Sequence, residues 1–348
     1  MFLIIVLKKS ATEKDAQHIV EAARAWGLKT NVSRGVERTI IGLIGDERII
    51  HGKPLDMLPG VESVLAVLKP YKLAAAEGRP EGTRIKLAPV KKGGRTVVIG
   101  GPEVIVMAGP CSIESREMLL DLAQLVKKSG AHLLRAGAFK PRTSPYSFQG
   151  MGNEGLRLLA EAREAVGIHV ITEVMDVRDL DAVAAVADVL QVGARNMQNF
   201  TLLKAIGKLH KPVMIKRGLA NTMEELLMSA EYVMSEGNHE VLLCERGIRT
   251  FETMTRNTLD LAAVPVLQRE SHLPVIVDPS HGTGHWDLVV PMARAAVAAG
   301  ADGIMVEIHP KPAEAMSDGS QALLPKTYLK MMKELDRVAR VLGRKVTR

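Results

Sequence analysis

Two groups of residues in this chain could do chemistry. The first is cationic: Arg135, Lys140, Arg142, Arg195, Lys216 and Arg246 each end or closely follow a short apolar run. Like charges brought together where water is excluded repel strongly, so such convergence implies an anion at the centre. Guanidinium forks suit phosphate and carboxylate oxygens, and lysine adds a point charge. Six cations exceed the need of one monophosphate. They point to two phosphorylated substrates, or to one carrying both phosphate and carboxylate. The second group is Cys111, His281 and Glu307, with Asp318 further on. A thiolate, an imidazole and two carboxylates form a mixed donor set that suits a divalent transition ion better than Mg²⁺. A closed zinc site would more often use local C-x-x-C pairs, and none occurs here. Taken singly these residues are ordinary, His281 a packed loop histidine and Asp318 a turn former before Gly319. His309 competes with Glu307 as a ligand, since residues two apart share one side of a strand.

The elements that must position both groups follow from the apolar pattern. From Arg95 onward, runs at Val104–Ala108, Leu133–Ala138, His169–Val174, Val189–Val192, Val213–Lys216, Val241–Cys244, Val275–Val277 and Ile304–Ile308 alternate with helical stretches. Continuous apolar strands between helices indicate a parallel sheet covered by helices. Eight of them in about 250 residues match an α/β fold of the (β/α)8 barrel type, whose active site forms where strands pass into the following loops. Cys111, Arg135, Lys140, Glu173, Ala194-Arg195, Lys216, Arg246, Asp278, His281 and Glu307 all fall at that end. An open doubly wound sheet would announce a G-x-G-x-x-G turn, which is absent. Thr96–Ile99 predicts an extra strand capping the barrel floor. Residues 1–70 read as a separate βαββαβ module of the ferredoxin-like kind, with strands at Phe2–Leu7, Thr30–Ser33, Arg38–Gly45 and Val61–Leu68. Its helices fall at Thr12–Trp26 and, shorter, at Pro54–Leu58. Residues 71–94 collect Pro80, Pro89, Gly78, Gly82, Gly93 and Gly94 and read as a linker, leaving 95–348 as the barrel.

Composition bounds the partners. The chain carries a net charge of +7 but only 3% aromatic residues, too few for base stacking, and shows no nucleic-acid-binding motif. Anionic metabolites fit better than nucleic acid. No apolar run approaches the ~18 residues of a membrane span, and no secretory signal opens the chain, so a cytoplasmic protein without membrane attachment is expected. Two cysteines build no disulfide framework.

The strings Ala108-Gly109-Pro110-Cys111-Ser112-Ile113-Glu114-Ser115, Leu134-Arg135-Ala136-Gly137-Ala138-Phe139-Lys140-Pro141-Arg142-Thr143-Ser144-Pro145-Tyr146, Ile171-Thr172-Glu173-Val174-Met175-Asp176, Gln191-Val192-Gly193-Ala194-Arg195-Asn196 and Asp278-Pro279-Ser280-His281 closely resemble 3-deoxy-D-arabino-heptulosonate 7-phosphate (DAHP) synthases. The resemblance covers residues 95–340 and is to the compact Iβ form, with residues 1–70 resembling the ferredoxin-like regulatory domain of some members. It implies a metal-dependent barrel that condenses phosphoenolpyruvate with erythrose 4-phosphate in the first step towards aromatic amino acids. By motif, the ligands to one divalent ion (Mn²⁺, Co²⁺, Fe²⁺ or Zn²⁺) would be Cys111, His281, Glu307 and Asp318, which favours Glu307 over His309. Arg135, Lys140, Ala194, Arg195, Lys216 and Arg246 would hold phosphoenolpyruvate, with Glu173 near its reacting end. Lys140, Pro141, Arg142 and Thr143 would bind erythrose 4-phosphate, and Asp278 would lie close to the metal and the sugar. Lys140, Glu173 and His281 are the expected catalytic groups, with Lys140 an acid whose pKa neighbouring cations depress. The resemblance further implies a homotetramer and feedback inhibition by tyrosine or phenylalanine bound to the N-terminal module. Two other readings stand beside it. A 3-deoxy-D-manno-octulosonate 8-phosphate synthase shares the barrel but uses arabinose 5-phosphate, and carries an asparagine-containing string in place of 140–143. A catalytically inactive barrel could also serve as a metabolite sensor.

Overall fold

The computed structural model describes residues 2–34, 38–44, 49, 53–66, 69–142 and 144–346. The chain divides into two units, Met1–Pro70 and Tyr71–Arg348. In the first, strands β1 (Phe2–Leu7), β2 (Lys29–Arg34), β3 (Thr39–Ile44) and β4 (Val61–Ala66) form one sheet in the order β2-β3-β1-β4, antiparallel throughout. The helix Glu13–Ala25 begins at a capping box in which Thr12 and Asp15 satisfy each other's backbone N–H groups. It buries Ala16, Ile19, Val20 and Ala23 against Leu3, Ile5, Leu7, Ile41 and Leu43. The spacing of those four residues is one helical face, and the strand residues alternate, so the two periodicities meet in one core. Where a second helix was expected, Leu55–Met57 makes a single 3-10 turn.

The second unit is a closed barrel of eight parallel strands: β7 (Ile105–Gly109), β8 (Leu133–Arg135), β9 (His169–Glu173), β10 (Val189–Val192), β11 (Val213–Lys216), β12 (Val241–Glu245), β13 (Val275–Val277) and β14 (Gly303–Glu307). β14 closes on β7, with Glu307 opposite Gly109. Alternate residues go to two different cores. Ile105, Met107, Leu133, Ile171, Val189, Met214, Leu242, Cys244, Ile276 and Met305 fill the barrel interior. Val106, Ala108, Leu134, Val170, Leu190, Val213, Ile215, Leu243, Val277, Ile304 and Val306 pack outward against the helices. Among the described residues no helix is long and apolar enough to cross a membrane.

Residues 71–94, expected as a linker, belong instead to the barrel unit. Tyr71, Ala74 and Ala75 are buried in its outer core. β5 (Ile85–Leu87) pairs antiparallel with β6 (Val97–Ile99), and Ile85, Leu87, Val97 and Ile99 join the interior cluster from below. The expected capping strand thus has a partner, and the two form a plug in the floor.

Candidate active site

The interior alternation decides which side chains reach the mouth. Continuing each inward row by two residues along its strand leads from Leu133 to Arg135, Ile171 to Glu173, Val189 to Gln191, Met214 to Lys216, Cys244 to Arg246, Ile276 to Asp278 and Met305 to Glu307. The same apolar rows that fill the barrel therefore end in the polar groups of its open end. Those side chains line a cavity of about 330 Å³ together with Lys140, Pro141, Arg142, Ala194, Arg195, Arg256, His281 and Asp318, although Asp278 and Glu307 lie just beneath its wall. Seven cations face two carboxylates there, Glu173 and Asp318. Arg142 and Arg195 make no ion pair among the described residues, and Arg135 Nε is buried without a hydrogen-bond partner. A buried donor left open in a cationic cavity fits an anionic ligand. Thr143 lies outside the described residues.

Cys111, His281, Glu307 and Asp318 converge from four separate segments, their donor atoms all within 4.8 Å of one another. Cys111 follows β7 on a turn whose carbonyl accepts Gly137 N at 3.1 Å and Lys140 Nζ at 3.0 Å. Its Sγ lies 2.9 Å from Lys140 Nζ and donates to Asp318 Oδ2 at 3.1 Å. Asp278 caps the short helix Pro279–Thr283 by accepting His281 N at 3.0 Å. Its other oxygen sits 2.7 Å from His281 Nδ1 and accepts Lys216 Nζ at 2.5 Å. The carboxylate therefore holds the proton on Nδ1 and leaves the Nε2 lone pair facing Glu307 Oε1 at 3.3 Å. Glu307 also accepts Arg135 at 2.8 Å and Gln321 at 2.8 Å. Asp318, in the left-handed region at φ 53°, accepts Arg256 at 2.9 Å. His309 turns away from this cluster and meets Glu114 at 3.2 Å, so it is not a fifth member.

Protonation follows from burial and neighbours. Burial, reinforced by Glu307, pushes the Cys111 thiol up to about 12. Burial lowers His281 despite Asp278 and Glu307, which favours the neutral ring. Burial works against the charged form of Asp278, but His281 and Lys216 outweigh it and hold the carboxyl well below its usual range. Against burial, His281 and Arg135 also lower Glu307, and His281, the Cys111 hydrogen bond and Arg256 lower Asp318. The expectation of a depressed Lys140 is not met. Burial and Arg135 act downward, yet Cys111, Glu307 and Glu173 more than offset them and its pKa is raised. The cluster thus has a neutral imidazole with its lone pair inward, two ionised carboxylates and a thiol that a divalent cation would help deprotonate. That is a donor set for such an ion.

Two participants are not marked by any motif read above. Arg256 comes from the long segment between β12 and the helix Ala263–Glu270, and Gln321 from the turn after Asp318. A third, Gln191, lies in a motif string and on β10 but has no expected role; it donates to Glu173 at 3.3 Å. For Arg256 and Gln321 the one available signal was loop length, since long loops at a barrel's open end tend to carry function.

The DAHP synthetase I family model matches residues 83–340, and the DAHP synthase ferredoxin-like domain matches residues 3–69. The phospho-2-dehydro-3-deoxyheptonate aldolase of Thermotoga maritima is 51% identical over 344 residues, spanning 99% of this chain and all of the relative. A crystal structure of the Thermotoga maritima enzyme superposes with a TM-score of 0.90 at 49% identity, covering 99% of both chains. A truncated form of 3-deoxy-D-arabino-heptulosonate 7-phosphate synthase from the same organism gives 0.74 at 48% identity, covering 80% of this chain and 99% of that one. The 2-dehydro-3-deoxyphosphooctonate aldolase of Acidithiobacillus ferrooxidans is 35% identical over 237 residues, 62% of this chain and 83% of the relative.

Proposed function

The chain belongs to the DAHP synthetase I family, and from that premise we propose how its cavity carries out the reaction. The enzyme condenses phosphoenolpyruvate with D-erythrose 4-phosphate and water, giving DAHP and phosphate in the first step of the shikimate pathway. In our reading Arg135, Lys140, Ala194, Arg195, Lys216 and Arg246 bind phosphoenolpyruvate. Lys140, Pro141, Arg142 and Thr143 bind the four-carbon sugar phosphate. The terminal carbon of the enol phosphate attacks the sugar aldehyde, water adds at the middle carbon, and the carbon–oxygen bond to phosphate then breaks. Positive charge develops at that middle carbon, and the Glu173 carboxylate is the group we place beside it. Lys140, kept protonated by its surroundings, serves as the proton donor to the nascent alkoxide.

Cys111, His281, Glu307 and Asp318 would hold one divalent ion, Mn²⁺, Co²⁺, Fe²⁺ or Zn²⁺. When bound, that ion supplies Lewis acidity to the sugar's carbonyl or hydroxyl oxygens. Asp278 and Lys216 keep His281 in the tautomer that presents Nε2, and Arg135 aims one oxygen of Glu307. The observation that carries this reading is the meeting of sulfur, imidazole and two carboxylates within 4.8 Å beside a cavity rich in unpaired guanidinium groups. On the 1–70 module we place a site for a feedback effector, tyrosine or phenylalanine, in a homotetramer.

A periodate–thiobarbiturate product assay with erythrose 4-phosphate and with arabinose 5-phosphate, before and after EDTA, tests the assignment. Product from the four-carbon sugar, lost on chelation and restored by Mn²⁺ or Co²⁺, is the expected result. Preference for arabinose 5-phosphate would move the chain to the octulosonate reaction, undiminished turnover in EDTA would remove the metal, and no product at all would favour a sensor.

A further inference from the structure

The family motifs give Arg256 no task. We propose that Arg256 is a positioning residue that, through Gln321, braces the two carboxylates of the donor set at the spacing a divalent ion requires. This rests on the reading of Cys111, His281, Glu307 and Asp318 as metal ligands. One atom, Arg256 Nη1, donates to Asp318 Oδ1 at 2.9 Å and to Gln321 Oε1 at 3.0 Å, while Gln321 Nε2 donates to Glu307 Oε2 at 2.8 Å. Arginine offers only donors and an ionised carboxylate only acceptors, so the Gln321 amide fits between them in one orientation alone. Gln321 is 1% exposed, which keeps water from replacing either bond.

The brace answers a physical need. Two ionised carboxylates within 4.8 Å repel each other in a buried site. Glu307 Oε1 is already held by Arg135, and Asp318 Oδ2 by Cys111. Their remaining oxygens are the ones that Gln321 and Arg256 take. The backbone that carries Arg256 is itself stitched to the turn that carries His281. Arg256 N donates to Thr283 O at 2.9 Å, Asn257 N to Gly282 O at 3.1 Å, and Asn257 Nδ2 to His281 O at 2.9 Å. Gly284 has φ 75°, and a Cβ there would lie 2.5 Å from Arg256 Cβ. Only glycine lets the two segments approach this closely. Three of the four donors are thus referred to one segment, His281 through the backbone by way of Asn257 and the two carboxylates through the Arg256 side chain.

Arg256 also lines the cavity, so the competing role is contact with a substrate anion, and the two roles separate when the ion is titrated without substrate. The metal-free full-length protein is titrated with Co²⁺ against a chromophoric chelator, following the sulfur-to-cobalt absorption band. The expected result is that Arg256→Ala weakens Co²⁺ binding on the order of ten- to a hundredfold, the range for lost outer partners of metal ligands. Arg256→Lys should regain part of that affinity. The pair Arg256→Ala with Gln321→Leu should lose less than the product of the single losses, because the two act as one unit. Far-UV circular dichroism checks the fold, and if Arg256→Ala fails to fold, Arg256→Lys and Gln321→Leu carry the comparison. Wild-type Co²⁺ affinity in these variants, with only the substrate KM raised, would overturn the brace and leave the metal reading intact. A wild-type protein that takes up no Co²⁺ would overturn both.

Discussion

Glu173 is aimed partly by what its neighbour lacks. A Cβ on Gly193 would lie 2.0 Å from Glu173 Oε1, so the carboxylate occupies the space of the missing side chain. Gln191, two residues earlier on β10, holds the other oxygen at 3.3 Å. Gly193→Ala must therefore push the carboxylate aside, and displacing a reacting group by about 1 Å commonly costs on the order of a hundredfold in rate. We expect kcat to fall by about that factor while the melting temperature stays close to wild type, since Glu173 can swing into the cavity. Consumption of phosphoenolpyruvate in steady state measures it, and an unchanged kcat would remove Glu173 from the reacting carbon. Glu173 was legible in the sequence because it falls in an apolar run near the barrel's open end, as do Arg135, Lys216 and Glu307. Arg256 and Gln321 were not, because a loop side chain advertises its partner by neither period nor spacing. The same gap explains His309, whose strand-side neighbour Glu307 made it a candidate ligand until Glu114 was seen to claim its imidazole.

At the level of elements, the pattern that exposed eight barrel strands concealed the floor beneath them. β5 is three residues long, too short to show alternation, and Pro80, Gly82, Pro89 and Gly93 around it read as punctuation. Its burial nevertheless alternates: Ile85 and Leu87 enter the barrel interior and Lys86 points to solvent. Ile85→Ala should cost ~2–5 kcal/mol, as expected when a fully buried isoleucine leaves a cavity. Lys86→Ala should stay within about 0.5 kcal/mol, the usual range for exposed positions. Urea denaturation of the two variants side by side makes the test, and equal stabilities would show that the hairpin does not plug the barrel. Strand ends were less legible than strand existence. β8 was expected to reach Ala138 but stops at Arg135, because Gly137 N leaves the ladder for Cys111 O and the chain turns towards Lys140.

For the whole molecule, the division at residue 70 carries the functional prediction. Among the described residues, the interior and outer clusters of the barrel draw only on residues from Tyr71 onward, and the buried cluster of the first unit only on Leu3 to Val61. Every donor of the metal set and every cation of the cavity lies in the second unit. Removing residues 1–70 should therefore leave a folded barrel whose kcat/KM for erythrose 4-phosphate stays within about tenfold of the full chain, ~1.4 kcal/mol of transition-state stabilisation. Sensitivity to tyrosine or phenylalanine should vanish in the same protein. The intact chain supplies the second half of the test, because coupling between two binding sites is reciprocal. If the effector weakens phosphoenolpyruvate binding by some factor, phosphoenolpyruvate must weaken effector binding by that same factor, and isothermal titration in both orders measures each. Coupling energies of this kind run to about 1–3 kcal/mol, or roughly 5- to 150-fold in affinity. Inhibition that survives the truncation would place the effector on the barrel, where the cavity's arginines could bind an amino acid's carboxylate directly, and the N-terminal sheet would lose its regulatory assignment.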